Sequence, residues 1–303
     1  MSRAISPPKT ATPSRRGANT IVLISVIVPP LALLTVMILA WGQGFGVVDL
    51  SLFFGMYLVC GLGITVGFHR YFTHKSFECP RWVKMMLGIT GSMAVQGSLF
   101  WWCAVHRKHH QHSDDHDDPH SPHVGRGGPL RRFLYSHFGW LFRIEDPDEA
   151  RYVPDLMADP DLRMISRLFP WWVFLSLALP AVLGGLLTGS WFGVLTGFLW
   201  GGLVRIFFEH HVTWSVNSVC HIWGAQPYDS HDHSRNNALF GILALGEGWH
   251  NNHHAFPTSA RHGLAWWQFD ATWITIKLMS MVGMASKLKT PTAERLERSE
   301  NKG

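Results

Sequence analysis

Three histidines recur at one spacing in two short stretches of the chain. The first stretch, "HRKHH", covers residues 106–110, and the second, "HNNHH", covers residues 250–254. Residues three and four positions apart lie on one face of a helix, so each stretch is predicted to direct its three imidazoles at one point. Imidazole binds zinc, copper, iron and nickel, and the pattern therefore indicates a metal site. The six histidines are His106, His109, His110, His250, His253 and His254.

Two further elements add histidines of the same kind. "HRYFTH" contains His69 and His74, and their five-residue interval does not place both on one face of a regular helix. Either the helix bends there or the two side chains serve different metals. "NSVCH" places Asn217 and His221 four positions apart. The nine histidines together could hold two metals with four or five imidazoles each, whereas one zinc site uses three or four protein ligands.

The distribution of apolar residues indicates the elements that position these histidines. The chain has 303 residues, of which 47% are hydrophobic and only 16% charged, against about 25% charged residues in a typical soluble domain. A membrane-spanning helix needs about 20 apolar residues. The net charge of +5 would suit nucleic acid or an anionic membrane, and the apolar runs exclude nucleic acid. Four transmembrane spans in two hairpins are predicted, at about 21–41, 47–68, 170–188 and 191–208.

Lys and Arg residues predict how these spans are oriented. They are concentrated in the N-terminal tail, between the two hairpins and after the last span, whereas the turns near 42–46 and 188–190 have none. Because cytoplasmic loops carry the excess of Lys and Arg, both termini and all the histidine stretches are expected on the cytoplasmic side of a multi-pass protein. The four cysteines are then expected to be free thiols, as is usual in a reducing compartment.

The predicted fold is an all-α membrane protein with four transmembrane helices and a cytoplasmic helical cap that carries the histidine site. Residues 82–105 are apolar but interrupted by Lys84 and three glycines, which predicts helices at the membrane surface and not a fifth span. Residues 266–284 are predicted to form an amphipathic closing helix. The predicted division is a disordered tail at 1–19, a membrane domain at 20–286 with its cap at 69–169 and 209–286, and a disordered tail at 287–303.

The three histidine boxes, in this order and with these flanks, resemble those of the integral-membrane fatty acyl desaturases of the stearoyl-CoA and acyl-lipid type. The flanking matches are "SDDHDDPHSP", "SHFGWLF", "TWSVNSVCH" and "GEGWHNNHHAFP", and the resemblance runs from about residue 45 to 285. It implies an enzyme of the bacterial inner membrane that introduces a cis double bond, at Δ9, into a saturated long-chain acyl group while O₂ is reduced to water. It also implies two iron ions, with Asn217 contacting one through water. The implied ligands are His69, His74, His106, His109, His110, His221, His250, His253 and His254.

Oxidative chemistry of this kind explains why a metal pair is needed. An unactivated methylene chain has neither an acidic proton nor a leaving group, so acid–base and nucleophilic catalysis have nothing to act on. Carboxylates are expected behind the ligands, accepting a hydrogen bond from the second nitrogen of each imidazole. Asp115 and Asp117 are better interpreted as members of a solvated acidic loop. The candidates are Asp114, Asp115, Asp117, Asp118 and Glu247. The remaining histidines, among them His120, His210, His211, His231 and His233, are not predicted to be ligands.

The resemblance also implies a bent substrate tunnel and a separate electron donor. Gln96, Trp102, Thr213 and Trp214 correspond to residues that line the bend where the double bond forms, although both tryptophans could instead be interface anchors. The chain has no paired CxxC motif, so a ferredoxin or a b-type cytochrome is implied as donor. The basic stretch with Arg126, Arg131 and Arg132 could bind an acidic donor or anionic lipid headgroups.

The acyl carrier and the reaction class leave alternatives open. The acyl-CoA enzymes of animals have an Arg-Asp pair before the second box, where this chain has Ala104 and Val105, and an amide where it has Gly97. Membrane glycerolipid is therefore favoured over acyl-CoA as substrate. A related di-iron hydroxylase or ketolase would share the ligands. A histidine-rich metal transporter would place its ligands near the bilayer midplane, and the boxes here lie at or beyond the span ends.

Overall fold

The computed structural model describes residues 15–39, 45–125 and 127–300. Within these ranges the chain is helical, without a β-strand and with only isolated bridges such as Glu78 with Ser286. The all-α prediction is confirmed. The α-helices are α1 (Arg15–Leu39), α2 (Val47–Leu62), α3 (Arg81–Ser92), α4 (Leu99–His112), α5 (Pro129–His137), α6 (Glu149–Tyr152), α7 (Pro154–Met157), α8 (Pro160–Arg167), α9 (Phe169–Thr188), α10 (Trp191–Gly197), α11 (Arg205–Ser218), α12 (Ala238–Leu243), α13 (His250–Ala255), α14 (Ala271–Met281) and α15 (Ala293–Ser299).

Four helices are long and apolar enough to cross a membrane, which confirms the predicted number. They cover Val22–Leu39, Val47–Thr73, Phe169–Thr188 and Trp191–His221. Two are longer than the apolar runs suggested, because α2 continues as a π-helix (Gly63–Thr73) and α10 continues through a second π-helix (Phe198–Val204) into α11. The first histidine box and the "NSVCH" element therefore stand on extensions of the spanning helices. Large apolar side chains face outward along these spans, as expected for contact with lipid.

Small residues bring the third and fourth spans into close contact. A Cβ atom at Gly184 would lie 2.2 Å from the carbonyl oxygen of Gly193, and one at Gly197 would lie 2.3 Å from that of Pro180. Side chains at these positions would force the helices apart, so the glycine spacing serves backbone packing. The first span packs on the fourth, with Ala32 and Val36 in one apolar cluster with Leu199 and Val204.

The cap begins directly after the second span. α3 and α4 are separate helices below spanning length, which agrees with the prediction that residues 82–105 do not form a fifth span. A Cβ atom at Gly91 would lie 2.5 Å from the Phe68 ring, so α3 approaches the first π-helix closely. Phe68, Leu87, Leu99 and Cys103 belong to the main buried core. This packing holds α4, and with it the second histidine box, against the end of the second span.

Most of the predicted N-terminal tail lies outside the described residues, whereas most of the predicted C-terminal tail is described. Residues 1–14 lie outside the described residues, and α1 begins at Arg15. After residue 287 the chain stays paired: the Lys289 N–H donates to Ser76 O at 2.9 Å and the Asp229 N–H donates to Ser299 O at 2.9 Å. These long-range backbone bonds hold residues 287–300 on the cap. The predicted closing helix is shorter than 266–284, because Asp270 caps α14 by accepting from the Trp273 N–H at 2.8 Å.

Candidate metal centre

Five histidines form one cluster of converging ring nitrogens. Their ligand atoms lie within 4.8 Å of one another. Successive Nε2 atoms are 3.0 Å apart between His69 and His253, 2.9 Å between His253 and His110, and 3.1 Å between His110 and His106. Two ligands bound at a right angle, each roughly 2.1 Å from one metal, would be about 3 Å apart. The spacing therefore fits one metal ion. The members of this five-histidine cluster are His69, His74, His106, His110 and His253.

A π-helix accounts for the five-residue interval in the first box. His69 lies within the π-helical segment, whose hydrogen bonds join residues five apart. The His74 N–H continues this pattern by donating to His69 O at 3.1 Å. The wider turn brings both imidazoles to the same side, and both belong to the five-histidine cluster. The alternative in which they serve different metals does not agree with this geometry.

The other four histidines form a second buried cluster. Nε2 of His221 lies 3.0 Å from Nε2 of His250. Nε2 of His109 and Nε2 of His254 are buried and have no hydrogen-bond partner among the described residues. Buried nitrogens of this kind need a partner, and an all-imidazole set suits iron and the other imidazole-binding metals. The members of this four-histidine cluster are His109, His221, His250 and His254.

The two HxxHH boxes each contribute to both clusters, so the prediction that each box directs its three imidazoles at one point is wrong. In the second box, His106 and His110 belong to the five-histidine cluster and His109 to the other. In the third box, only His253 belongs to the five-histidine cluster. A difference of one position turns a helical side chain by about 100°. The helices that carry the second and third boxes, α4 and α13, therefore lie between the two clusters, and each helix contributes histidines to both.

Three of the predicted carboxylates lie behind clustered histidines. Nδ1 of His69 is 2.6 Å from Glu247, Nδ1 of His221 is 2.9 Å from Asp114, and Nδ1 of His109 is 3.1 Å from Asp118. Asp114 and Asp118 accept the Nδ1–H of their histidines, and Glu247 Oε2 lies within ion-pair distance of His69 Nδ1. This arrangement leaves each Nε2 free for a metal and favours one ring orientation. Asp115 and Asp117 are exposed, in agreement with their interpretation as solvated.

Sequence reasoning missed Asp232, whose carboxylate also accepts a hydrogen bond from the second nitrogen of a clustered histidine, here His254 in the four-histidine cluster. Its Oδ2 accepts from His254 Nδ1 at 2.5 Å, and its Oδ1 accepts from Ser230 and Ser234. Asp232 lies in the loop "YDSHDHSRNN", where His231 and His233 are indeed exposed. The two flanking serines are a local signal for a fixed carboxylate, but no spacing relates this loop to the third box.

Burial favours the uncharged form of several of the clustered imidazoles. It lowers the pKa of His106, His110, His250 and His253 well below the usual value, and neighbouring imidazoles lower it further. Neutral imidazole is the form that binds a metal. Burial alone would raise the pKa of Asp114, but its hydrogen bond and charge interaction with His221 hold the pKa below its usual range. These four imidazoles are thus in the form that binds a metal, and the Asp114 carboxylate beside His221 is ionised.

Four other histidines lie close to this centre without belonging to either cluster. His262 Nδ1 is 3.2 Å from Glu247, and His120 Nδ1 is 3.7 Å from Asp118. His210 Nε2 bonds to Ala94 O at 3.1 Å, and His211 Nδ1 lies 3.0 Å from His137 Nε2. His262 with His69 and Glu247, and His120 with His109 and Asp118, form further groups whose ligand atoms lie within 4.8 Å of one another, whereas His210 and His211 belong to no such group among the described residues.

A cavity opens beside both clusters and contains three of the four predicted tunnel residues. Gln96 Nε2 donates to Thr213 Oγ1 at 2.9 Å, and Trp102 Nε1 donates to Gln96 Oε1 at 3.3 Å. The Trp102 ring stacks on His106, with centroids 5.1 Å apart. Trp214 is instead buried against the rings of His210 and His211, because it follows Thr213 by one position and faces another side of α11. The lining includes Gln96, Trp102, Thr213, Asn217, His69, His106 and His250.

Comparisons with known proteins agree on one family. The family model described as "Fatty acid desaturase" matches residues 45–278. A hex-5-enoyl-[acyl-carrier protein] acetylenase of Moorena producens is 40% identical over 280 residues, covering 91% of this chain and 87% of its own length. The sn-1 stearoyl-lipid 9-desaturase of Synechocystis sp. is 38% identical over 94% of this chain and 84% of its own length. The enzyme of the same name from Anabaena variabilis is 40% identical over 76% of this chain and 79% of its own length.

Proposed function

The chain belongs to the fatty acid desaturase family, and from this premise we propose that it forms a cis double bond at Δ9 in a saturated long-chain acyl group of a membrane glycerolipid. It is an integral membrane oxidoreductase that acts on fatty acyl chains. The observation that carries the proposal is the cavity in which Gln96, Trp102 and Thr213 meet two ligand histidines, His69 and His106. An acyl chain in this cavity would lie beside both clusters.

The two clusters are proposed to hold one iron ion each. Bound iron would supply the oxidant, derived from O₂, that hydrogen abstraction from an unactivated methylene requires. The C–H bonds give two of the four electrons consumed, and a separate ferredoxin or b-type cytochrome is proposed to give the others. The protein's part is to orient four of the nine imidazoles through Glu247, Asp114, Asp118 and Asp232 and to exclude water from a buried site.

Asn217 is proposed to hold a water molecule at the open side of the four-histidine cluster. It lines the cavity together with His250 and stands one turn before His221 on the fourth span. The Asn217→Ala variant is expected to retain most of its iron and to lose turnover by roughly 10–100-fold, the usual cost of removing an outer partner of a metal site. Metal analysis and product formation from the same preparation check this. An unchanged rate would remove Asn217 from the site.

We propose that the cavity wall formed by Gln96, Trp102 and Thr213 determines the double-bond geometry. The side chains of Gln96, Thr213 and Trp102 are joined by hydrogen bonds, which makes this part of the wall stiff. A wall of this kind would hold the acyl chain in a bent conformation while hydrogen is removed, and a bent chain favours the cis product. Trp214 contributes by packing behind this wall and not by lining it.

The carrier of the acyl chain is proposed to be a glycerolipid. Ala104 and Val105 are buried and apolar, so they offer no charge to the phosphates of CoA. The relatives from Anabaena variabilis and Synechocystis sp. are named for stearoyl lipids, whereas other relatives are named for acyl-CoA or acyl-carrier protein. The histidine side of the protein is proposed to face the cytoplasm of a bacterial inner membrane. Arg131 and Arg132 on that side are candidates for donor or headgroup contacts, and Arg126 lies outside the described residues.

The test of this function compares two carriers in one assay. Purified enzyme with a reduced electron donor is given labelled stearoyl-CoA and a labelled stearoyl phospholipid, and mass spectrometry locates any new double bond. We expect a Δ9 alkene in the phospholipid. Rapid desaturation of the thioester with none of the phospholipid would contradict the proposal that the carrier is a glycerolipid. An alcohol or an alkyne as product would show that the enzyme is a hydroxylase or an acetylenase and not a desaturase.

A further inference from the structure

A buried glutamate in the cavity has a carboxyl oxygen that the fold does not use. Glu209 is 3% exposed and stands on the fourth span. Its Oε2 accepts from Arg205 Nη1 at 2.9 Å, whereas Oε1 has no hydrogen-bond partner in the described part of the chain. Glu209 lines the same cavity as Gln96 and Thr213. An oxygen that is buried without a partner is costly, so a partner within the cavity is expected.

None of the hydrogen bonds of Arg205 reaches this oxygen. Its guanidinium is fully buried and donates to Gly201 O, Met93 O and Ser176 Oγ in addition to Glu209 Oε2. The pair is therefore held in place by the surrounding backbone and by the third span. Glu209 Oε1 is left as a fixed acceptor directed at the cavity.

The free oxygen lies at the cavity end farther from the metal centre. A Cβ atom at Gly61 would lie 3.8 Å from Glu209 Oε1. Gly61 precedes the ligand His69 by eight positions, and Glu209 precedes Asn217 by the same number on the facing helix. At a rise of 1.5 Å per residue, the eight positions from Glu209 to Asn217 correspond to roughly 12 Å along α11.

The rest of this end is apolar or already bonded. Ile64, Val212 and Leu245 line it, and the Tyr57 hydroxyl donates to Leu243 O at 2.8 Å. A saturated chain that reaches Glu209 would place methylene groups against the oxygen and exclude water without supplying a hydrogen bond. An extended chain advances roughly 1.2 Å per bond, so about ten carbons beyond the reacting carbons would reach this point.

We propose that Glu209 is a specificity-determining residue that rejects saturated acyl chains long enough to reach it and accepts a hydrogen bond from a hydroxyl at the end of an acyl chain. The inference rests on the proposed function only in taking the cavity as the acyl site. The ligand class it adds is an acyl chain with a terminal hydroxyl group.

Binding is measured anaerobically and without electron donor, so the result does not depend on turnover. Labelled phospholipids carry 16-, 18- or 20-carbon chains that end in a methyl, a hydroxyl or a methoxy group. At the best-fitting length, the hydroxyl chain is expected to bind wild-type enzyme roughly tenfold more tightly than the methyl chain, as one hydrogen bond to a charged group allows. The methoxy chain has no hydrogen-bond donor, so it should bind no more tightly than the methyl chain. Equal binding of all three ends would overturn the proposal.

Variants assign the preference to Glu209. In Arg205→Met/Glu209→Val, which avoids an unpaired buried cation, the preference for the hydroxyl is expected to disappear and binding of the 20-carbon methyl chain to rise roughly tenfold. Glu145→Val removes an exposed glutamate outside the cavity and should keep the wild-type pattern. A preference that persists in the double variant would also refute the role of Glu209. If the chains bind as expected but no alkene forms in the turnover assay, the proposed function fails and this inference stands.

Discussion

Replacing His109 or His253 with alanine is expected to remove bound iron and desaturase activity together. The two residues stand in different clusters, and both are almost completely buried, with His253 0% and His109 1% exposed. His253 Nε2 lies 3.0 Å from His69 and 2.9 Å from His110, so its loss opens the five-histidine cluster on two sides. The loss of activity should exceed the roughly 10–100-fold that follows removal of an outer hydrogen-bond partner.

Metal analysis of purified protein and alkene formation measure these two effects. Wild-type enzyme is expected to hold two irons per chain, and each variant fewer than two. His116→Ala is the matched control, since its side chain is 98% exposed, and it should keep both irons and full activity. Two irons per chain in both cluster variants would refute the ligand assignment.

Replacing Asp270 with alanine is expected to cause the largest loss of stability. Asp270 Oδ1 and Oδ2 accept from Arg70 at 3.0 and 3.1 Å, and the Arg70 side chain is fully buried. Asp270 Oδ2 also accepts from the backbone of His262 and Gly263. Removing one partner of a buried ion pair typically costs about 3–5 kcal/mol, because the other charge stays buried.

The same change should loosen the five-histidine cluster. Arg70 also donates to Glu247 Oε1, and Glu247 orients His69, so a displaced Arg70 would disturb a ligand. A cost of this size corresponds to a fall in Tm of roughly 5–15 °C. Thermal unfolding of the detergent-solubilised enzyme measures it, with the exposed Asp117→Ala as control. A Tm within a degree or two of wild type would show that Asp270 does not hold this network.

Local properties explain which features could be predicted without the fold. The length of each apolar run is set by the thickness of the hydrocarbon core, so the four spans follow from composition alone. The histidines could be singled out because imidazole is a common metal ligand. The carboxylates Asp114 and Asp118 could be predicted because they lie close in sequence to the second box. Glycine spacing in the fourth span likewise reflects a local requirement for close helix contact.

The sequence by itself therefore determined the membrane class, the four spans and the nine histidines. The tertiary structure decided how these histidines divide between the two clusters. Spacing places side chains on a face of one helix, but the grouping depends on how helices meet, as when His69 joins His253 across 184 positions. The support of His254 by Asp232 and the pairing of residues 287–300 depend on such long-range contacts. Hydrogen bonds between distant segments have no signature in local spacing, because their geometry exists only after the chain has packed.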